Sequence, residues 1–481
     1  MDVVLVTLDQ LRADCLGVAG HPVVETPNLD ALAARGVRFA RHYAQAAPCA
    51  PGRAALYTGT YQMVNRVVAN GSPLAAHFDN LALLAQRAGY HPVLFGYTDQ
   101  GIDPSTADGP TDPWLDTYEG ILPGFEAVVH LDGHQQAWVD HLAELGYGPL
   151  SADEALSTEP DRPAELSASA FLTDRILEWL DTQAGPVFVH ASYLRPHPPY
   201  AAAGEYAKRY DPADCGTPIA PAEERHSLHE LALQVPVCAA PTDPAEMAQL
   251  RAQYFGMITE VDAQVGRLLE GFAAAGRDEV VVIVTADHGE QLGDHGLIQK
   301  LGFFEESYRI PLLIAAPGGA TGRVVEDFTE AVDVLPTVAE LLGQPVPAQA
   351  NGRSLMAFLE GGEPEQWRQA AHYEWDWRDL VMGAHHVDGP RDLRLDRCNL
   401  AVHRSATHAY VQFGDGDWIC FDLEADPTWR TTVGDPEVVL PLAQAMLTWR
   451  QAHLGGPYTE LLLGSERRGR WPAALSVPSV S

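Results

Sequence analysis

Five short apolar runs, 3–8, 92–96, 186–191, 280–285 and 311–315, punctuate the chain. They are rich in Val, Ile, Leu and Phe and do not alternate with polar residues, the pattern of strands buried on both faces of a mostly parallel sheet. Stretches with helical periodicity lie between them. Thr26 precedes PNLDALAARG, which has Pro at the first helical position and closes on Gly36. Asp79 opens NLALLAQRAG, and further helices are expected from Met247 to Ala275 and from Glu330 to Leu342. Strands and helices in this order predict an α/β fold.

Two regions depart from that rhythm. Residues 201–243, rich in Ala, Pro and charge, read as an insertion running over the surface. From about His372 the pattern changes to short strands, with HAYVQFG (408–414) and DWICFDL (417–423) joined by a turn at Asp415-Gly416. The expected organisation is a catalytic domain over 1–370 and a smaller antiparallel module over 371–481. That module adds a helix near Val438–His453 and a tail that is either frayed or packed on a second subunit. Tyr373, Trp375 and Trp377 read as packing residues of the module rather than as a site.

Composition narrows the function. The 481 residues carry 31 Lys+Arg against 65 Asp+Glu, a formal net charge of -34. Nucleic-acid and anionic-membrane partners are therefore not expected. No apolar run approaches the roughly 20 residues that span a bilayer. The N-terminus leads straight into a strand, which predicts a cytoplasmic protein, and the sequon Asn70-Gly71-Ser72 is discounted on the same ground. The six cysteines are scattered without a CxxC pair, which argues against a disulfide framework.

The candidate chemistry sits where strands end. Asp9 and Gln10 follow the first run, in VTLDQLR; Asp287 and His288 follow the fourth, in VTADHGEQLGDHG. Ligands gather at the carboxyl ends of strands in open parallel sheets. If these strands are neighbours, two carboxylates, an amide oxygen and an imidazole converge into a divalent-cation site. The imidazole tilts the metal from Ca2+ or Mg2+ towards Mn2+, Fe2+ or Zn2+. The blander alternative is that Asp9 and Asp287 only cap helices. A third cluster is Cys49-Ala50-Pro51-Gly52-Arg53. Composition predicts only about 0.03 accidental occurrences of Cys-x-Pro-x-Arg. Cys49 is expected at a helix N-terminus, where free N–H groups favour an anion that Arg53 also reaches; the alternative is a small buried thiol.

DQLR, CAPGR and TADHGEQLGDHG, in that order, resemble the sulfatase branch of the alkaline-phosphatase-like superfamily. The resemblance runs from Val3 to about Leu355 and weakly into CFDLEADP (420–427). It implies a central, mostly parallel mixed sheet flanked by helices. It also implies that a maturation enzyme converts Cys49 to formylglycine, whose aldehyde hydrate is the nucleophile. Asp9, Gln10, Asp287, His288 and the modified Cys49 then hold one divalent metal, with Mn2+ favoured over Ca2+, Zn2+ and Fe2+, and Arg53 steadies the nucleophile.

Departures from the sulfatase pattern point to a subfamily. Sulfatases carry Asp-Asp where this chain has Asp9-Gln10. After Gly96-Tyr97-Thr98-Asp99-Gln100-Gly101 it lacks their Gly-Lys-x-His element. RPHPPY (195–200), YQMVNRVVANG (61–71) and HGLIQKLGFFEESYRIPLLI (295–314) are instead similar to the phosphonate monoester hydrolases, which also cleave phosphodiesters. By that resemblance Asn70, Tyr97, His197 and Lys300 line the anion pocket, with Thr98 or Asp99 reaching it too. Only two lysines, Lys208 and Lys300, occur in the chain, which fits a role at Lys300 that a bulky guanidinium would not serve. Lys300 and Arg53 are expected to bind the equatorial oxygens, and His197 to protonate the leaving alcohol. The resemblance further implies a small anionic ester substrate, tolerance of sulfate and phosphate esters, and a homo-oligomer. The alternative activity is that of a sulfatase on aryl, choline-like or carbohydrate sulfates.

Overall fold

The structure is a computed structural model and describes residues 1–378, 380, 395–454, 462–463 and 469–470. Twelve strands carry its architecture. They are β1 (Asp2–Leu8), β2 (Val37–Tyr43), β3 (Pro92–Gly96), β4 (Glu126–His130), β5 (Phe188–Tyr193), β6 (Val280–Thr285), β7 (Leu312–Ala315), β8 (Arg323–Glu330), β9 (Ala370–Asp376), β10 (Asn399–Ser405), β11 (His408–Phe413) and β12 (Trp418–Asp422). The first eight form one sheet in the order β4-β3-β5-β1-β6-β7-β2-β8, and the last four a second sheet in the order β12-β11-β10-β9.

In the large sheet, β4, β3, β5, β1 and β6 pair in parallel. β7 runs antiparallel to both of its neighbours. All five apolar runs of the sequence are strands of this sheet. Every residue of β1 is buried, and Val3–Leu8 pair with Phe188–Tyr193 on one side while Asp2–Thr7 pair with Val280–Thr285 on the other. Asp9 and Asp287 thus leave adjacent strands at the same end. Helices cover the faces, among them Pro27–Ala34, Cys49–Thr58, Ala168–Leu180, Pro244–Ala274 and Val334–Leu341. The helix after Asp79 starts at Leu81, and Asn80 rather than Asp79 caps it, accepting from the N–H groups of Ala82 and Leu83. Residues 330–333 belong to the end of β8 and a short 3-10 turn, so the helix expected from Glu330 begins at Val334.

The second sheet is antiparallel throughout, and the expected hairpin is β11–β12. Tyr373, Trp375 and Trp377 are buried in an aromatic core with Phe303, Phe413 and Phe421. Leu228, Leu231, Ala232 and Cys238 join that same core. Segment 201–243 is therefore not purely superficial, because its apolar positions wedge between the large sheet and the small one. The helix expected near Val438–His453 spans Pro436–His453. The tail beyond it lies almost wholly outside the described residues.

Candidate active site

The helix Cys49–Thr58 places Cys49 at its first position, and all ten of its residues are buried. It abuts the loop after β6. A β-carbon on Gly52 would lie 2.5 Å from the carbonyl oxygen of Asp287 and 3.0 Å from that of Ala46. Glycine is what lets the helix start reach the strand ends, which explains the residue between Pro51 and Arg53.

Asp9, Cys49, Asp287 and His288 each offer a ligand atom within 4.8 Å of the others, and all four residues are buried. His288 Nδ1 lies 3.0 Å from the Gly289 carbonyl. That contact places the proton on Nδ1 and leaves Nε2 as an acceptor, 3.2 Å from Cys49 Sγ. Asp9 Oδ1 is buried with no hydrogen-bond partner. An orphaned carboxylate oxygen beside an imidazole lone pair suits a divalent cation, and the donor set fits one. Helix capping does not account for either aspartate.

The two carboxylates titrate as a pair. Burial opposes ionisation of both, yet the positive groups around Asp9 hold it well below the usual range. Burial and the Asp9 charge raise Asp287 to about 7. Arg53 is the organic counter-charge between them. Its Nε donates to Asp287 Oδ2 at 2.9 Å and its Nη2 to Asp9 Oδ2 at 3.1 Å. Its Nη1 donates to Ser192 Oγ at 2.8 Å and to the Tyr97 carbonyl at 3.1 Å. With its side chain wholly enclosed, Arg53 clamps the carboxylates. Among the described residues its side chain does not line the cavity, in contrast to the expectation that it binds substrate oxygens, and it instead holds the two carboxylates grouped with Cys49.

Gln10 is turned by its neighbours. Its Nε2 donates to Glu290, and its Oε1 accepts from Lys300 Nζ at 2.8 Å. Glu290 also accepts from Tyr200 Oη at 2.9 Å and the Leu292 N–H at 2.8 Å. It is a positioning residue that sequence reasoning missed, although it stands inside TADHGEQLGDHG. Lys300 is 6% exposed whereas Lys208 is on the surface, in line with the scarcity of lysine. Despite burial, the surrounding acidic groups keep Lys300 charged, with its pKa raised.

Lys300 Nζ lies 3.0 Å from His197 Nε2, and His197 Nδ1 lies 2.7 Å from the Pro198 carbonyl. Nδ1 therefore donates to the carbonyl while Nε2 accepts from the ammonium. Burial and the Lys300 charge lower His197 to about 3. His197 lines the cavity beside Lys300, the place expected of a group that protonates the leaving alcohol.

A cavity of about 210 Å³ opens onto Cys49 and is lined by Asp9, Asn70, Tyr97, Asp99, His197 and Lys300 among others. Asn70 Oδ1 accepts from the Ala50 N–H at 3.0 Å, leaving its amide nitrogen free to meet an anion. Tyr97 donates to Asp9 Oδ2 at 2.6 Å. Thr98 is turned away, bonded to the Gly120 carbonyl at 2.8 Å. Asp99, at φ 50°, is the neighbour that reaches the cavity, and burial raises it to about 7 against the pull of Arg53.

Comparison with known proteins agrees with this geometry. The family described as Sulfatase matches residues 1–344, and the one described as N-sulphoglucosamine sulphohydrolase, C-terminal, matches residues 293–448. The phosphonate monoester hydrolase of Agrobacterium radiobacter is 40% identical with a TM-score of 0.90, covering 98% of this chain and 100% of that one. A phosphonate monoester hydrolase from Silicibacter pomeroyi is 33% identical with a TM-score of 0.87, covering 98% and 99%. The multifunctional alkaline phosphatase superfamily protein PehA of Trinickia caryophylli is 36% identical over 94% of this chain and 95% of its own. The chain thus belongs to the sulfatase family of the alkaline-phosphatase-like superfamily and is a hydrolase of ester bonds.

Proposed function

We propose that this enzyme hydrolyses phosphonate monoesters and phosphodiesters, using formylglycine made from Cys49 and one divalent metal. One observation carries the reading. Asn70, Tyr97, His197 and Lys300 line one cavity with Cys49, beside the Asp9–Asp287–His288 group, in a chain whose relatives include phosphonate monoester hydrolases along its whole length. Burial and the Asp9 carboxylate push the Cys49 thiol well above its ordinary pKa. An unconverted, protonated thiol is a weak nucleophile, which favours conversion.

Asp9, Gln10, Asp287, His288 and the converted side chain would hold the metal, with Mn2+ favoured over Ca2+, Zn2+ and Fe2+. When bound, it supplies Lewis-acid polarisation of the phosphoryl oxygen. The chain's own groups do the rest. The Lys300 ammonium and the Asn70 amide meet the non-bridging oxygens of the monoanionic ester. Arg53 keeps both carboxylates aimed inward. The Lys300 ammonium, which lines the cavity, gives one N–H proton directly to the oxygen of the leaving alcohol and becomes a neutral amine, while His197 Nε2 accepts another of its N–H groups and holds it in place. Asp99 borders the same cavity.

Maturation requires a formylglycine-generating enzyme or its equivalent. Cys15, Cys49, Cys215, Cys238 and Cys420 are buried free thiols, which supports a cytoplasmic setting, and a homo-oligomer is the expected assembly. Mass spectrometry of the Cys49 peptide tests the conversion. Side-by-side turnover of a phenylphosphonate monoester, a phosphodiester and an aryl sulfate tests the substrate class. The phosphonate and the diester should lead; a large preference for the aryl sulfate would replace this reading with that of a sulfatase. Cys49→Ala should lose activity by roughly 10³-fold or more, and an active variant would sink the mechanism.

A further inference from the structure

We propose that Asp99 sets how much negative charge an ester may carry into this site: its carboxylate tolerates monoanions, such as phosphonate monoesters, phosphodiesters and sulfate esters, and disfavours dianionic phosphate monoesters. This rests on the phosphoryl-ester reading above and names the residue that discriminates among the esters.

Asp99 is 5% exposed and lines the cavity together with Cys49, Asn70 and Lys300. Among the described residues no group donates a hydrogen bond to its side chain, and the one cation within 4 Å of it is Arg53, whose Nε lies 3.6 Å from Asp99 Oδ2. That N–H is already given to Asp287 Oδ2 at 2.9 Å. The rest of the guanidinium is spent on Asp9, Ser192 and the Tyr97 carbonyl. Asp9 Oδ1 is sealed from solvent, whereas neither oxygen of Asp99 is, and the Asp99 side chain keeps 7% of its surface. The carboxyl is thus nearly enclosed, without a donor of its own, and open to the cavity.

No other cation is free to cancel it. Lys300 is the only Lys or Arg among the residues lining the cavity, and its Nζ is bonded to Gln10 Oε1 and His197 Nε2. Asp99 is also close to the reacting position. It shares Arg53 Nε with Asp287, and its charge is among those that push up the Cys49 thiol. An uncancelled carboxylate there acts on a bound anion through its charge, and a dianion meets twice the repulsion of a monoanion. At separations of several ångströms near a protein surface, one further unit of like charge is worth about tenfold or more in affinity. A role as acceptor for a substrate hydroxyl would instead affect monoanions and dianions alike.

The test compares methyl p-nitrophenyl phosphate, a monoanion, with p-nitrophenyl phosphate, which has the same leaving group. At pH 8.5 the second is a dianion, its second pKa being about 6, and the Asp99 carboxyl, raised to about 7, is ionised. Asp99 stands at φ 50°, a conformation that Asn also adopts, so Asp99→Asn removes the charge and keeps the turn. It should lower the monoanion-to-dianion ratio of kcat/KM by roughly tenfold or more. Asp99→Gly, equally at ease there, should shift the ratio the same way, and Asp99→Glu, which keeps the charge, should hold the wild-type ratio.

Binding is read apart from turnover. Calorimetry of inorganic phosphate, dianionic at this pH, against dimethyl phosphate should show Asp99→Asn favouring the dianion by a similar factor. A kcat/KM ratio unmoved by both uncharged variants, an unmoved affinity ratio, or a ratio that Asp99→Glu lowers as far as Asp99→Asn would overturn the inference. Failure of the wild type to turn over methyl p-nitrophenyl phosphate would overturn the phosphoryl-ester reading instead. The affinity ratio would still test Asp99, so the two failures are distinguishable.

Discussion

Glu290 shows how much of this site depends on a residue that touches neither Cys49 nor the cavity. By accepting from the Gln10 amide nitrogen, it decides which face of that amide points inward. Glu290→Gln puts an amide where a pure acceptor stood, and Gln10 loses its fixed orientation. Metal affinity should fall by roughly 10–100-fold, as read by competition with a chromogenic chelator; unchanged affinity would show that Gln10 needs no such support. At this scale the sequence was legible where residue type is scarce or the spacing rigid, as for Lys300, Cys49, Asp287 and His288. The roles of Arg53 and His197 were not. Their positions follow from the motif, but Arg53 finds Ser192 and Tyr97 and His197 finds Lys300, residues remote in sequence whose placement follows only from the fold.

Among the elements, the helix Cys49–Thr58 and the loop after β6 are the pair whose separation matters most. Alanine normally beats glycine inside a helix by about 1 kcal/mol. Gly52→Ala should do the reverse here and destabilise by roughly 1–3 kcal/mol, because the added carbon meets two carbonyl oxygens. Urea midpoints of the two proteins check this, and a raised midpoint would refute the close approach. The strands that periodicity missed share a cause. β4 and β8 are sheet edges with exposed positions, and β2 carries Arg38, Arg41 and His42. Half-buried strands mix charge with apolar residues, whereas β1 and β6, flanked on both sides, read as unbroken apolar runs. Segment 201–243 misled for the complementary reason: its few apolar residues are sparse in sequence but clustered in space.

Across the whole molecule, burial of acidic groups couples stability to pH. Glu260 lies midway along the helix Pro244–Ala274, 1% exposed, accepting from Ser167 Oγ at 2.7 Å. Burial, reinforced by the Glu159 charge, raises it to about 7 from 4.5. A carboxyl whose folded pKa is raised favours the fold below its unfolded pKa and forfeits that contribution as pH climbs to the folded value. Glu260→Gln should therefore gain stability over wild type progressively between about pH 4.5 and 7, then hold a constant advantage of up to roughly 3 kcal/mol. Denaturant titrations at pH 4.5, 6 and 8 read the difference directly, and a gap that closes with rising pH would contradict it. The net charge of -34 belongs to the same scale. It set an expectation against polyanionic partners, but it could not reveal that one cavity brings Lys300 together with Asn70 and Cys49.

The enclosure of the helix Cys49–Thr58 also imposes a timetable. Cys49 is 4% exposed and every neighbour along its helix is buried, so an enzyme that must read those residues can do so only while the chain is open. On the proposed conversion, chemistry on Cys49 and closure of the sheet compete during synthesis, and a molecule that folds first would be out of reach of the modifying enzyme. A preparation would then be a frozen mixture of competent and incompetent molecules with the same fold, and its specific activity would record the conditions of synthesis rather than those of the assay.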